Sequence, residues 1–483
     1  MDESTPVRAE EPSYRTALEP RLKFLVPLVV ACAMVMESVD QTIITTSIPQ
    51  MAVSLGESPL RLNVAITSYL LSLAVFIPVS GWIADRFGAR SVFCAAVAVF
   101  TVGSALCGAA TTLPMLVLTR ILQGFGGAMM TPVGRLVLLK SFPKSELVTA
   151  MSYVAIPALV GPAIGPMIGG FLTTYVTWRW IFYVNVPFGM LGIVLALKYF
   201  ENFRTDIRTR FDFLGFILCG IGLAALEVAL EFGGRHLISD FTEGAIAALA
   251  AASLVAYGFY ARRKPNPAVD LKIFRIKTFR IGVLAGAICR IGLSSTSFLF
   301  PLLLQIPFGF SAFKSGLVTS VLAVGAISMR IVSPPLLRKV GFRAILIING
   351  LITGGMMMGL AMVTLGTPIG IVVCGLFTLG FFRALQFTSM NTLGYSDLVG
   401  HDISPGSSLS SVAQQLSMSF GVTISATLLA LITSPSSVPT AADFRPVLVI
   451  MAIFPIVSVL WFMRLAPEDG ALVAGYKMVK RSS

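Results

Sequence analysis

Long apolar stretches recur from one end of the chain to the other, and each is about as long as a bilayer is thick. A membrane-spanning helix needs about 20 mostly apolar residues. Only 12% of the residues are charged, whereas a soluble domain carries about 25%. The sequence therefore predicts an all-α integral membrane protein. It has fourteen candidate spans, at 24–51, 62–82, 91–110, 113–139, 146–175, 183–200, 211–232, 242–261, 280–304, 314–334, 343–364, 368–394, 407–432 and 445–465.

Basic residues predict the direction in which the chain crosses the membrane. An even number of spans places both termini on the same side. With the termini inside, most Lys and Arg fall in cytoplasmic segments, as the positive-inside rule requires. The clearest examples are the basic loops at 198–210, 262–280 and 338–343. We therefore expect cytoplasmic termini, with the basic loops against lipid headgroups.

The polar residues argue against several other classes of protein. The net charge of +13 does not indicate nucleic-acid binding, because the basic residues lie in short loops and form no continuous stripe. The six cysteines lie in apolar stretches without a CxxC pair, and His236 and His401 are the only histidines, so we expect no metal site. The sequence shows no reactive cluster and no GxxxxGK[ST] loop, so we expect neither an enzyme nor an ATP-driven pump.

Two basic loops indicate an internal repeat. Residues 85–90 read DRFGAR after the second span, and residues 338–343 read RKVGFR after the tenth. The glycine and the final arginine align. Two halves of six spans, with spans seven and eight between them, place these loops at equivalent positions, and such repeats are typical of secondary transporters.

Two further motifs place unusual residues inside spans. In span four, Arg120, Gln123, Gly124 and Gly127 share one helix face. A charge this deep in a membrane usually faces a partner or a cavity. In span five, glycines at 161, 165 and 169 form a flat stripe that suits close helix packing, and two prolines bend the helix.

Together these motifs resemble the major facilitator superfamily, and in particular its fourteen-span drug:proton antiporter family. The resemblance extends over essentially the whole chain, including the strings at 178–189 and 212–215. It implies a conformational latch between the two halves at a signature loop, formed by Gly81, Asp85, Arg86, Gly88 and Arg90. It also implies an antiporter motif made of Gly161, Pro162, Gly165, Pro166, Gly169 and Gly170.

The resemblance implies a fold and an activity. The fold is two six-helix bundles, at 23–205 and 263–466, with two inserted linker helices at 206–262 and cytoplasmic tails at 1–22 and 467–483. The activity is export of small organic molecules, drugs among them, in exchange for protons by alternating access. We expect a monomer in the bacterial inner membrane, driven by the proton motive force without a cofactor.

Span one contains two carboxylates, Glu37 and Asp40, on one helix face. Two nearby carboxylates in a medium of low dielectric constant do not both ionise easily, so at least one can carry a proton at neutral pH. The span-four motif of the family ties Arg120 to proton coupling. We therefore predict Asp40 as the main proton carrier, Glu37 as an auxiliary and Arg120 as the group that tunes them. A static buried network is the alternative.

Deep arginines in the second half bear on the substrate. Arg290, Arg383 and Arg120 outnumber the two carboxylates of span one. This excess favours an organic anion, such as citrate or its iron chelate, over a lipophilic cation. Arginines that pair only with polar neighbours, and a sensor built on a transporter fold, are the alternatives. The predicted substrate-binding residues are Arg290, Arg383, Gln386, Gln123, Gln414 and Asn391.

Two further carboxylates, Glu227 and Glu231, lie toward the outer end of span seven. They could form a vestibule, but because this span belongs to the inserted pair at the periphery, we expect a surface role for them.

Overall fold

The chain folds into helices throughout the part that the computed structural model describes, which is residues 20–142, 144–203, 211–233, 239–265, 267–399, 402–433 and 438–470. The helices are α1 (Pro20–Ile43), α2 (Ile48–Leu55), α3 (Val64–Phe87), α4 (Ala89–Ala109), α5 (Leu113–Ser141), α6 (Lys144–Tyr175), α7 (Trp180–Tyr183), α8 (Asn185–Tyr199), α9 (Phe213–Phe232), α10 (Asp240–Arg263), α11 (Lys277–Gln305), α12 (Ala312–Val340), α13 (Phe342–Ala361), α14 (Ile369–Tyr395), α15 (Ile403–Ile432) and α16 (Ala441–Phe462).

The predicted all-helical membrane fold is confirmed. Within the described residues, thirteen helical stretches are long and apolar enough to cross a bilayer. The remaining predicted span, 146–175, coincides with α6, which has 32 residues. At 1.5 Å per residue, a helix of that length is more than sufficient to cross a bilayer.

The first span ends earlier than the sequence predicted. The helix passes into a 3₁₀ turn at Ile44–Thr46, and the separate helix α2 begins at Ile48. Pro49 has no N–H to donate to the carbonyl of Thr45, so the α-helical hydrogen bonds cannot continue. The hydroxyl of Thr45 instead donates to the carbonyl of Thr42 at 2.8 Å.

Two groups of helices face each other across a seam. In the first group α1 packs on α6 and α4 on α5; in the second, α11 and α13 pack on α16. The groups meet where α6 packs on α12 and where α3 packs on α15. Helices α9 and α10 pack mainly on each other, and α9 also contacts α3 and α15.

The seam is closed at the face where α1 ends, which we call the distal face because it lies opposite the start of α1. There the amide of Gln305 donates to the carbonyl of Thr46 at 3.1 Å, and the N–H of Phe313 donates to the hydroxyl of Thr174 at 3.0 Å. Both bonds join the two groups of helices.

Glycines allow this close approach. A Cβ atom at Gly170 would meet the backbone of Ala312, and a Cβ atom at Gly316 would meet the carbonyl oxygen of Pro166. The rest of the stripe faces α1, where Gly161 and Gly165 lie against the side chains of Ser38 and Thr42. The predicted antiporter motif therefore packs between α1 on one side and α12 on the other.

We expect Gly316→Ala to lower the thermal unfolding temperature of the protein in detergent. The added methyl group meets backbone atoms of α6, and overpacking of this kind costs about 1–3 kcal/mol. The matched control is Gly355→Ala in α13, where a Cβ atom has nothing within 4 Å. That variant should be as stable as the wild type or more stable, since alanine favours helix. Equal unfolding temperatures for the two variants would contradict the packing described here.

Candidate functional site

A cavity of about 440 Å³ lies between the two groups of helices, beneath the distal closure. One wall comes from α1, α3 and α6, and the other from α11, α12, α14 and α15. Polar side chains line it on both sides, namely Ser38, Gln41, Thr42, Thr45, Ser294, Thr296, Ser297, Thr319, Arg330, Arg383, Thr388 and Asn391. A polar cavity between two helical groups is a suitable place for a small molecule.

A buried ion pair lies behind the wall formed by α1. Nη1 of Arg120, on α5, donates to Oδ2 of Asp40, on α1, at 2.5 Å. Both residues are 0% exposed, and neither lines the cavity. The same guanidinium donates through Nε to the carbonyl of Ala65 at 2.9 Å and lies 4.2 Å from the ring centroid of Tyr69. Sequence placed these groups on two spans, and the fold brings them into direct contact.

Two amides complete the environment of Asp40. Nε2 of Gln123 donates to Oδ1 of Asp40 at 2.8 Å, and its Oε1 accepts from Arg120 at 2.7 Å. Nδ2 of Asn185, at the start of α8, donates to the same Oδ1 at 3.3 Å. Asp40 thus accepts three hydrogen bonds, and the positive charge of Arg120 balances its negative charge. The sequence prediction missed Asn185, and its only signal was a single amide within the apolar string 178–189.

Glu37 connects this buried network to the cavity. Its Oε2 accepts from the hydroxyl of Thr131 on α5, and its Oε1 accepts from Nε2 of Gln41 at 3.5 Å. Gln41 itself lines the cavity. Helix α1 therefore presents polar side chains to the cavity on one face and two carboxylates toward the helices behind it.

The deep arginines of the second half have a different environment. Nη1 of Arg383 donates to the hydroxyls of Thr296 at 3.3 Å and Ser297 at 3.2 Å, and Arg383 lines the cavity. Nη2 of Arg290 donates to Oδ1 of Asn391, another lining residue. Across the ranges that the structure describes, no carboxylate forms an ion pair with either arginine. The ring of Phe387 lies between them, at 5.5 Å from Arg290 and 5.2 Å from Arg383.

The remaining predicted substrate-binding residues lie away from the cavity. Gln123 belongs to the network around Asp40. Gln386 is fully buried, and its Oε1 accepts from Asn349 at 2.8 Å. Nε2 of Gln414 donates to the hydroxyl of Ser410 at 3.2 Å, and Gln414 does not line the cavity. The structure therefore brings Arg383 and Asn391 to the cavity, with Arg290 behind Asn391.

The signature loop lies at the end of α3. Asp85 pairs with Lys140 of α5 at 3.7 Å, and Gly88 has a φ of +94°, which favours glycine. A Cβ atom at Gly88 would also meet the side chain of Asn202, whose Oδ1 accepts from the N–H of Ser91 at 3.4 Å. These contacts lie within the first group of helices, and the role of the loop as a latch between the halves stays a prediction.

The fold, the seam and the cavity suit a membrane transporter, and the family match establishes that class. The sequence profile described as Major Facilitator Superfamily matches residues 30–422, and the chain belongs to that family. It is 40% identical over 409 residues to MdtD of Salmonella typhi, which is provisionally named a multidrug resistance protein. The match covers 83% of this chain and 85% of that relative. MdtD of Salmonella typhimurium matches to the same extent.

Solved structures agree on the fold. A D-xylose-proton symporter superimposes with a TM-score of 0.67 at 14% identity, covering 92% of this chain and 99% of that one. A bacterial homologue of the human lysosomal transporter Spinster, captured inward-facing and unoccupied, superimposes with a TM-score of 0.64 at 15% identity, covering 95% and 99%. At these identities the likeness supports the fold alone.

The ion pair yields a stability prediction. Arg120→Met leaves the carboxylate of Asp40 buried without a cation, and breaking a buried pair from one side costs about 3–5 kcal/mol. The double variant Asp40→Asn/Arg120→Met removes both charges and should be more stable than Arg120→Met alone. Denaturant unfolding in detergent measures both. A double variant that loses the sum of the two single losses would show that the residues do not interact.

Proposed function

We propose that this protein is a proton-coupled exporter that exchanges small organic molecules for protons by alternating access. One observation carries the proposal: α1 forms a wall of the cavity with one face and holds Glu37 and Asp40 with the other. A proton that binds on one face of this helix can therefore change the contacts of a substrate on the other. The coupling requires no cofactor beyond the proton gradient.

Protonation of Asp40 would break the balance of the buried network. In its ionised form the carboxylate accepts three hydrogen bonds and neutralises Arg120. A proton on Asp40 removes that neutralisation, and Arg120 is then a buried cation without its counterion, which is an expensive arrangement. Movement of α1 or α5 relieves this strain by giving Arg120 other partners. Because α1 forms part of the cavity wall, such movement can change the side of the membrane to which the cavity opens.

Glu37 provides a route for the proton. It bonds to Gln41, which lines the cavity, and it lies one turn from Asp40 on the same helix. The proposed order is entry from the outside, protonation of a carboxylate in α1, and release of substrate in exchange. The termini are cytoplasmic in this scheme, and the distal face is then the outside. The closed distal seam corresponds to a cavity turned toward the cytoplasm.

The substrate class has two candidates. The name of the MdtD relatives supports a range of drugs. The second candidate is an organic anion, because Arg383 lines the cavity and no carboxylate among the described residues pairs with it or with Arg290. Hydroxyls and a ring face leave a guanidinium able to bind an incoming carboxylate in a bidentate way.

The proton-coupling proposal is tested in liposomes that contain a trapped pH dye. Wild-type protein should show proton movement when an ethidium-type cation or a tricarboxylate is added. Asp40→Asn cannot ionise and should abolish that movement, whereas Glu37→Gln should slow it. Full proton-coupled transport by Asp40→Asn would show that Asp40 is not the main carrier. Loss of proton movement in Glu37→Gln but not in Asp40→Asn would make Glu37 the main proton carrier.

The substrate candidates are separated by the same liposomes. If the substrate is an anion, Arg383→Ala should lower tricarboxylate transport at least about tenfold, since it removes a charged contact of about 1.5–3 kcal/mol. Arg290→Ala should lower it less, because Arg290 acts through Asn391. Transport of the cation should not fall. Arg280→Ala, an exposed arginine on the same helix α11, is the control. Equal transport of the anion by all three variants would exclude the arginines from the substrate site.

A further inference from the structure

Two carboxylates in the inserted helix α9 are buried at the seam, which corrects the surface role expected from the sequence. Glu227 is 4% exposed and Glu231 is 8% exposed. They lie one turn apart on the same face of α9, and that face packs against α3 and α15. Helix α3 belongs to one group of helices and α15 to the other, so the carboxylates lie where the two groups meet.

Each carboxylate bonds to a different group of helices. Oε1 of Glu227 accepts from the hydroxyls of Ser419, at 2.9 Å, and Thr423, both on α15. Oε2 of Glu231 accepts from Nδ2 of Asn63, just before α3, at 2.7 Å. Ser419 also donates to the carbonyl of Thr67 on α3 at 3.4 Å. The inserted helix therefore connects both sides of the seam through acidic side chains.

Two acceptor atoms beside the seam have no hydrogen-bond donor. Oε2 of Glu227 and Oδ1 of Asn63 are both buried, and neither has a partner within the described residues. A proton bound to the carboxylate of Glu227 would turn one of these acceptor oxygens into a donor. Buried polar groups without partners are unusual in native proteins, and each needs a physical explanation.

The charged groups around Glu227 do not neutralise it. No Lys or Arg of the described ranges is in ion-pair distance of Glu227, and Glu231 lies one turn away on the same helix. Helix α15 contains no titratable residue, and α3 contains Tyr69, Asp85 and Arg86. Tyr69 lies on Arg120, and Asp85 and Arg86 are at the opposite end of α3. On α10, Asp240 and Glu243 lie in the first turn.

We propose that Glu227, with Asn63 and Glu231 beside it, is a second proton-binding site, separate from the carboxylates of α1, and that a proton bound there favours closure of the seam between α3 and α15. An ionised carboxylate without a cation is costly in a medium of low dielectric constant, and such groups bind a proton instead. Opening of the seam hydrates the site and removes that preference. The closed state consequently binds the proton more tightly, so a higher pH favours the open state.

The site also gives the inserted helices a role. Because α9 connects to both groups of helices, the state of its carboxylates acts on both. A proton bound to Oε2 of Glu227 makes that atom a hydrogen-bond donor. It also removes the negative charge of the carboxylate. Loss of the proton leaves the carboxylate of Glu227 as a buried negative charge within the seam, which is costly in a medium of low dielectric constant.

The test measures the distance across the distal face as a function of pH, without substrate. Nitroxide labels are attached to Val53→Cys and Leu365→Cys in a variant whose six native cysteines are replaced; both sites are exposed, at the distal ends of the two groups. Between about pH 6 and about pH 9 the closed-to-open ratio of the wild type should fall about tenfold. In Glu227→Gln, which imitates the protonated acid, the fall should be at least about threefold smaller.

Two more variants complete the experiment. Asp240→Asn, which removes an exposed acid at the distal start of α10, should respond as the wild type does. Thr423→Val removes a donor to the carboxylate and so disfavours the charged form, which should move the transition to higher pH. Thr423→Val keeps the proposal testable if Glu227→Gln does not fold.

Several results would overturn the proposal. The first is the same pH response in Glu227→Gln and wild type. The second is a closed-to-open transition that occurs at the same pH in Thr423→Val and in the wild type. The third is a shift that follows sodium concentration at constant pH, which would make the site a sodium site. Since Asp40 and Glu37 are present in every variant and no substrate is added, the outcome does not depend on whether the protein exports anything.

Discussion

The interior of this protein depends on one constraint: a charge placed deep in a membrane must have a partner, because water is not available to solvate it. Asp40 and Arg120 satisfy it together, with amides from Gln123 and Asn185. These bonds join α1, α5 and α8 to one another. In the proposed mechanism a proton on Asp40 disturbs this packing, and α1 transmits the change to the cavity.

The two halves solve the same problem differently. Arg120 and Gln123 on α5, and Arg383 and Gln386 on α14, have the same spacing, and in both pairs the glutamine faces the interior of its own helical group. Arg120 has Asp40 as its partner. Within the described ranges, Arg383 has hydroxyls and a ring face as its partners. The first half therefore contains a charge-balanced centre, and the second has Arg383 at the cavity. In the proposed mechanism, the first half couples transport to protons and the second half binds the substrate.

Much of the fold could be predicted from the sequence, because apolar length and the signature motifs are local properties. The glycine stripe of α6 was also predictable as a packing face. The partners of individual side chains were not. Gln123 was expected to bind substrate and instead bonds to Asp40, since spacing along α5 defines a face but not which helix lies opposite. Glu227 was expected at a surface, because a peripheral helix gives no indication that one face packs into the seam.

The central claim is that Asp40 binds and releases a proton. Infrared difference spectroscopy on the purified protein, recorded between acidic and basic buffer, observes the carbonyl band of protonated carboxyl groups directly. We predict a band component that is present in the wild type and absent from Asp40→Asn, while components from other acids remain. An unchanged carbonyl band in Asp40→Asn would contradict the claim and would leave Asp40 as a permanently ionised partner of Arg120.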